Sequence, residues 1–252
     1  METPPPKRWS AGTIIESTLV WGGVVLLVGF LILTVLSPLA TDTGRPASRT
    51  ECKNHLRQLA LAMHNYHDQY GSFPPAYVAD KNGRPMHSWR VLLLPFLEFG
   101  HLHKEYRFDE PWNGPHNREL AALPIQLFHC AADTGTQTDT SYLVVVGPKT
   151  IFPGASSIKI ADITDGTSNT ILLVEAVDSG INWLEPRDMS YEEALRGINP
   201  KTGWGISSHH EGGAQVALAD GSVRLLPDKT PVEQFRLFLE RDDGQTVSWP
   251  QY

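Results

Sequence analysis

Ser48 to Gly71 reads SRTECKNHLRQLALAMHNYHDQYG, and this stretch decides the fold. Ser48 and Glu51 have the spacing of a capping box, in which a hydroxyl and a carboxylate each take up an N–H at a helix start. Cys52, Leu56, Leu59, Met63, Tyr66 and Tyr70 then recur at alternating steps of four and three, which places them on one face of a helix. Lys53, Asn54, Arg57, Gln58, His64 and Asp68 lie off that face. Gly71 ends the helix, because glycine turns left-handed without a steric cost. A helix with one apolar face should lie on the body's core, with Cys52 pointing inward near the helix start.

Upstream, Leu19 to Leu36 reads LVWGGVVLLVGFLILTVL, with no charge and Thr34 as its only polar side chain. With its margins the run is about 20 residues long, enough for a helix to cross a hydrocarbon core of roughly 30 Å. A cleaved signal peptide has a shorter apolar core and a small-residue cleavage site, and Pro38-Leu39-Ala40 matches one poorly. A buried core helix would show a polar stripe. The run therefore reads as an N-terminal transmembrane helix. Lys7 and Arg8 precede it and place the N-terminus in the cytoplasm and the body outside. The organisation expected is a disordered cytoplasmic leader over 1–12, an anchor over 13–40, a linker over 41–47, a body over 48–245 and a tail over 246–252. Pro38, Gly44 and Pro46 are read as breaking any continuous helix between anchor and body.

The chain has 252 residues and a net charge of −7, which argues against a nucleic-acid surface. Its 19 prolines and 21 glycines point to a loop-rich body rather than a helical bundle. Two cysteines, Cys52 and Cys130, are too few for a disulfide scaffold and form no C-x-x-C pair. An exported compartment permits a disulfide between them. Two buried thiols are the alternative, since sequence does not set the distance.

After the helix, Ser88 caps an apolar segment over 89–99 that Pro95 interrupts, and a short helix is expected over 116–123. Short β runs follow over 125–129, 142–146, 158–163 and 170–176. Residues 183–203 read as a long surface loop with a helical turn near Tyr191. Ala214–Ala219 and Ser222–Leu226 flank Asp220-Gly221, a hairpin signal with a two-residue type I′ turn. That register puts Val216, Leu218, Val223 and Leu225 on one side. An amphipathic helix over 231–240 closes the body, with Val232, Phe235, Leu237 and Leu239 as packing residues.

These pieces, taken together, resemble a known family. They are Cys52-Lys53-Asn54-His55-Leu56, His64-Asn65-Tyr66-His67, Gly71-Ser72-Phe73-Pro74-Pro75, Ser88-Trp89-Arg90, Phe128-His129-Cys130, Asp165-Gly166-Thr167-Ser168-Asn169 with Glu175, and His210 followed by Asp220-Gly221. The chain is similar to the bacterial prepilin-like family DUF1559, known for its H-X9-DG motif. The resemblance implies an α+β fold, an N-terminal transmembrane helix followed by a type IV pilin or pseudopilin-like body in which an amphipathic helix packs on an antiparallel β-sheet, at the inner membrane, single-pass, with self-association or secretion and pilus-type machinery as partners. It implies no established reaction. Gly12-Thr13-Ile14-Ile15-Glu16 departs from the family's processing site: the Phe is missing and Glu16 stands one position too close to Gly12. A permanently tethered module is expected, rather than a processed filament subunit.

Candidate chemistry is sparse. His64 and His67 have ligand-like spacing with Asp68 beside them, but a helix flank bonding backbone or solvent is the favoured reading. His210 and Asp220 are too far apart along a strand to share a site, and Asp220 has a sufficient task in its turn. His210 is read as a structural hydrogen-bonding residue. Asp165, Gly166 and Asn169 form a turn, and Asp162 beside it does not complete a calcium loop. No G-x-S-x-G, H-E-x-x-H or P-loop pattern occurs. The sequence thus predicts no catalytic residues, metal or cofactor. Its motif residues are His210, Asp220, Gly221, Asp165, Gly166 and Asn169. Two other classes compete with the structural module: a tethered hydrolase with a site near His209 and His210, and a glycan- or peptide-binding domain presenting Trp112, Trp183 and Trp204.

Overall fold

The structure is a computed structural model that describes residues 44–245 together with Leu27, Val247 and Trp249. The expected leader and anchor lie outside the described residues. Among those that are described, no helix is long and apolar enough to cross a membrane. Residues 1–46 and 47–252 form separate units, and the layers described below belong to the second.

Helix α1 spans Gly44–Tyr70. It starts before Ser48, so the expected capping box at Ser48 and Glu51 does not begin it. Pro46 falls in the first turn, where an intrahelical N–H is not needed, and is accommodated there. Cys52, Leu56, Leu59 and Met63 are fully buried, as the spacing predicts, whereas Tyr70 is exposed. Gly71 has φ +77° and its N–H reaches the His67 carbonyl at 2.7 Å, closing the helix.

Strands β1 (Tyr77–Ala79) and β2 (Pro85–Ser88) form a small antiparallel pair. The Ser88 hydroxyl accepts from the Arg90 N–H and starts α2 (Trp89–Leu93), which tightens into a 3₁₀ turn at Pro95. Helices α3 (Gly100–Glu105) and α4 (Asn117–Ala121) follow. The main sheet has the order β3-β5-β7-β8 and is antiparallel throughout: β3 Tyr142–Leu143, β5 Ile171–Glu175, β7 Gly213–Leu218, β8 Val223–Pro227. Between them, β4 (Val145–Val146) pairs in parallel with β6 (Met189–Ser190), and α5 (Tyr191–Ala194) follows β6. Helix α6 (Val232–Leu239) closes the body.

Every residue of β5 and β7 is buried, because the sheet is covered on both faces. One apolar cluster joins Cys52, Leu56, Leu59 and Met63 of α1 to Leu172, Leu173 and Ala217. The other joins Val174, Ala214, Val216 and Leu218 to Phe235, Phe238 and Leu239 of α6. The arrangement is three layers, helix on sheet on helix.

Several expectations need correction. Residues 125–129 and 158–163 are not strands; each contains a 3₁₀ turn, Gln126–Phe128 and Ile160–Asp162. Short apolar runs do not distinguish the two by period. In the second, the Asp162 carboxylate accepts from the Lys159 N–H at 2.9 Å and draws the chain into a turn. Trp183 is not displayed in a loop: it is 1% exposed, stacks on Phe128, and donates from Nε1 to the Leu123 carbonyl. In α6, Val232 is exposed, while Phe238 is a core residue that the sequence reading omitted.

The hairpin is present but its register is shifted by one. Ala217 pairs with Val223 and Val216 with Arg224, so the loop is the three residues Ala219-Asp220-Gly221. Asp220 is not among the residues with positive φ, and only Gly221, at φ +81°, is left-handed in the turn. This is the geometry of a three-residue loop closed by a glycine bulge rather than a type I′ turn. The one-residue slip sends Val223 to the α1 face with Ala217, away from Val216 and Leu218.

Candidate functional site

The motif residues fall at the two ends of β7. At its start, four segments meet. Cys52 of α1 and Cys130 are joined in a disulfide with Cα atoms 5.3 Å apart. The last residue of β5, Glu175, and the loop residue His210 close around the sulfurs. Glu175 Oε1 lies 3.4 Å from Cys130 Sγ, and His210 Nε2 lies 3.6 Å from the same sulfur. All four residues are buried.

Local hydrogen bonds fix each member. Gln215 N–H donates to Glu175 Oε2 at 2.9 Å, so the carboxyl group takes a backbone donor at the end of the β5–β7 ladder. Cys130 N–H donates to the Ser141 hydroxyl, and that hydroxyl donates to Asp133. His210 N–H donates to the Ser208 hydroxyl at 3.1 Å. Arg49 donates to the Glu211 carbonyl, beside His210.

The electrostatics decide how Glu175 and His210 meet. Burial raises the Glu175 pKa to about 7, against the lowering pull of the Gln215 N–H, Ser208 and Arg49. Burial also lowers the His210 pKa, helped by the positive charge of Arg49 and by His209. Both groups are driven toward their neutral forms, and 3.9 Å between Nε2 and Oε1 is beyond hydrogen-bond reach. The two side chains are in polar contact without a hydrogen bond between them.

At the far end of β7, the other motif residues are brought together. Asp220 N–H donates to the Thr167 carbonyl and Ala219 N–H to the Thr170 carbonyl, which joins the Asp165–Asn169 turn to the hairpin loop. Asp220 Oδ1 accepts from both the N–H and the hydroxyl of Ser222. The two oxygens of Asp165 accept from the Asp243 and Gly244 N–H groups, at 2.7 and 2.9 Å. Asn169 donates from its amide to the Asp165 carbonyl, and Gly166 holds φ +97°. His210 therefore precedes β7 and Asp220 follows it, so the strand separates them.

The remaining candidates disperse. His67 Nε2 accepts from the Ile160 N–H at 3.2 Å, a backbone contact. His209 pairs with Asp178 at 2.9 Å and lines a cavity of about 220 Å³ with Trp204 and Ser207. Sequence reasoning missed the buried pair Arg90–Asp188, bonded at 2.7 Å. It also gave Glu175 no role of its own. The signal was there: a carboxylate ending the apolar run Ile171-Leu172-Leu173-Val174 must find partners.

Fold and site together define a three-layer α+β module whose motif side chains hold its own loops and turns. A family model for DUF1559, a protein of unknown function, matches residues 43–151 and 179–233. The chain belongs to that family. No curated protein and no solved structure matches it.

Proposed function

We propose that this chain is a non-catalytic structural or assembly module, tethered to the inner membrane by its N-terminal segment with a pilin-like body outside the cytoplasm. One observation carries the reading: the motif side chains act on the fold's own backbone. Asp165 holds Asp243 and Gly244, Asn169 holds Asp165, Asp220 holds Ser222, and Glu175 holds Gln215. A long α1 on an antiparallel sheet supports the pilin-like reading, and the apolar run over 19–36 supports the tether. Partners of such a module are further copies of the chain or a secretion-type assembly.

The test is made in membranes. A reporter that works only outside the cytoplasm, fused after Tyr252, is expected to be active. The N-terminus is expected to be intact, and cross-linking to yield oligomers that are lost when the segment over 19–36 is exchanged for an unrelated spanning helix. Activity of a cytoplasm-only reporter, or a mature chain starting at Thr13 in sheared fibres, overturns the proposal.

A further inference from the structure

We propose that, once the disulfide is reduced, Cys52, Cys130, Glu175 and His210 form a tetrahedral binding site for a thiophilic divalent cation of the zinc class. One ligand atom from each of these four buried residues lies within 4.8 Å of every other. In a tetrahedral site with metal–sulfur bonds of about 2.3 Å and metal–nitrogen or metal–oxygen bonds of about 2.0–2.1 Å, the sulfur–nitrogen and sulfur–oxygen edges are about 3.5 Å and the nitrogen–oxygen edge about 3.3 Å. The observed edges are 3.6 Å from Cys130 Sγ to His210 Nε2, 3.4 Å to Glu175 Oε1, and 3.9 Å between those two. One face of the tetrahedron is thus close to ligand spacing already. Completing the tetrahedron requires the two sulfurs to open to about 3.8 Å, with Cys52 Sγ already within 4.8 Å of the other ligand atoms.

The surroundings favour a cation at this point. The Gln215 N–H takes Oε2 of Glu175, while Oε1 is the oxygen that faces the sulfur and the imidazole. Such support around a ligating carboxylate fixes its orientation. Two thiolates, a carboxylate and a neutral imidazole around a divalent ion leave one negative charge, and Arg49 reaches the Glu211 carbonyl next to His210. Thiolates select zinc-like ions over calcium or magnesium, which prefer oxygen ligands.

A dithiol reductant gives two electrons and two protons to the Cys52–Cys130 bond, is itself oxidised to its disulfide, and leaves two thiols. The cation then displaces both thiol protons, and the Glu175 proton where the carboxyl group carries one, to water. Metal and disulfide are mutually exclusive, and either one fastens α1 to the chain around Cys130 and β5. The site is a redox-gated one: reduction recruits the ion, and the reverse exchange with a small disulfide, which takes up the two electrons as it is cleaved to thiols, re-forms the Cys52–Cys130 bond and expels it.

The experiment uses the full chain in mild detergent with Co²⁺ as the probe. After reduction with a phosphine and removal of the reductant, one equivalent of Co²⁺ is expected to give tetrahedral d–d bands and sulfur-to-cobalt charge-transfer absorption. The chain's two cysteines are both in the site, so that absorption assigns the ligands. Oxidised protein is expected to give none, and zinc is expected to displace the signal and protect both thiols from alkylation. His210→Ala and Glu175→Gln each weaken binding by at least about tenfold, as expected for removal of a ligand. A reduced, folded chain that gives no charge-transfer band, or binding unchanged in His210→Ala, overturns the proposal. If reduction alone unfolds the body, zinc added with the reductant must restore its melting transition, and failure to do so overturns it equally.

Discussion

Arg90 and Asp188 offer the sharpest test of what holds the layers together. The guanidinium is fully buried and the carboxylate nearly so. Asp188 accepts from Arg90 at 2.7 Å, from Trp89 Nε1 at 3.1 Å and from the Val144 N–H at 3.1 Å, so one carboxylate ties α2 to the chain between β3 and β4. Burial pushes Asp188 up and Arg90 down against their mutual attraction, so each ion is tolerated only because of the other. Arg90→Met strands the carboxylate and should cost about 3–5 kcal/mol. Asp188→Leu strands the guanidinium and also leaves the Trp89 and Val144 donors unpaired, each adding about 1–3 kcal/mol. Asp188→Leu is therefore expected to be the worse single change. The double variant should fall well short of the sum, because no lone buried charge remains. For a body of this size, the Arg90→Met cost corresponds to a fall in Tm of about 6–20 °C. Urea unfolding followed by Trp fluorescence measures all four corners of the cycle, with buried Trp89 and Trp183 as reporters. Additive single effects, or an Arg90→Met cost below about 1 kcal/mol, would refute the reasoning.

Three further outcomes are expected. In disulfide-intact protein with chelator present, Glu175 keeps its proton to about pH 7 when folded, against an ordinary value of 4.5. The folded state then binds more protons in this window, so this group's stability contribution is complete below pH 4.5 and is lost as pH rises through 7. Glu175→Gln should therefore gain on the wild type by up to about 3 kcal/mol between pH 5 and 8; a difference that does not change with pH contradicts this. Gly213→Ala should lower Tm severely, by the equivalent of about 4 kcal/mol or more, because its Cβ would stand 2.1 Å from the Leu226 carbonyl oxygen at φ +149°; an unchanged melt disproves it. Asp220→Asn should be near neutral, within about 0.5 kcal/mol, since the new side-chain oxygen can still accept from Ser222. Gly221→Val should cost about 1–3 kcal/mol for its positive φ; calorimetry of the two variants decides, and the reverse order refutes the turn assignment.

Much of the fold was legible because it depends on local periods. The four buried positions of α1 from Cys52 to Met63, the Ser88 cap, the Pro95 interruption and the existence of the β7–β8 hairpin all follow from spacing. The register did not, since a two-residue and a three-residue loop both place Asp220-Gly221 between apolar runs. Backbone donors settled it: Leu218 N–H bonds to the Ser222 carbonyl, and Gly221 N–H bonds back to the Leu218 carbonyl. The tyrosine end of the α1 face has the spacing of core, but Tyr70 is exposed and its ring meets only the edge of Phe96 and the ring of Tyr66 among the described aromatic contacts. The cluster at Cys130 was harder to read. Cys52, Glu175 and His210 stand 45 to 80 residues from Cys130 along the chain, and no periodicity reports a contact of that range.

The position of the disulfide within α1 bears on what the body is built to resist. A load applied at the N-terminal end of the helix reaches Cys52 before it reaches Leu56, Leu59 and Met63, whose burial holds the helix down without any covalent bond. At the other end of β7, a Cβ at Gly221 would stand 3.8 Å from the ring of His64, so the hairpin turn lies near this part of the helix. The cross-link closes a separation of 78 residues, which in the chain-entropy picture is worth about 4 kcal/mol, but that figure concerns the free chain at equilibrium. Under tension the relevant quantity is the order in which contacts fail, and a covalent bond placed first prevents the apolar contacts from being peeled one at a time. For a chain held by its N-terminal segment, as proposed, that is the side from which tension arrives. A disulfide at Tyr66 would have the same entropic effect for a comparable loop, yet leave the first turns of the helix free to peel. The placement at Cys52 therefore fits a mechanical role better than a purely thermodynamic one.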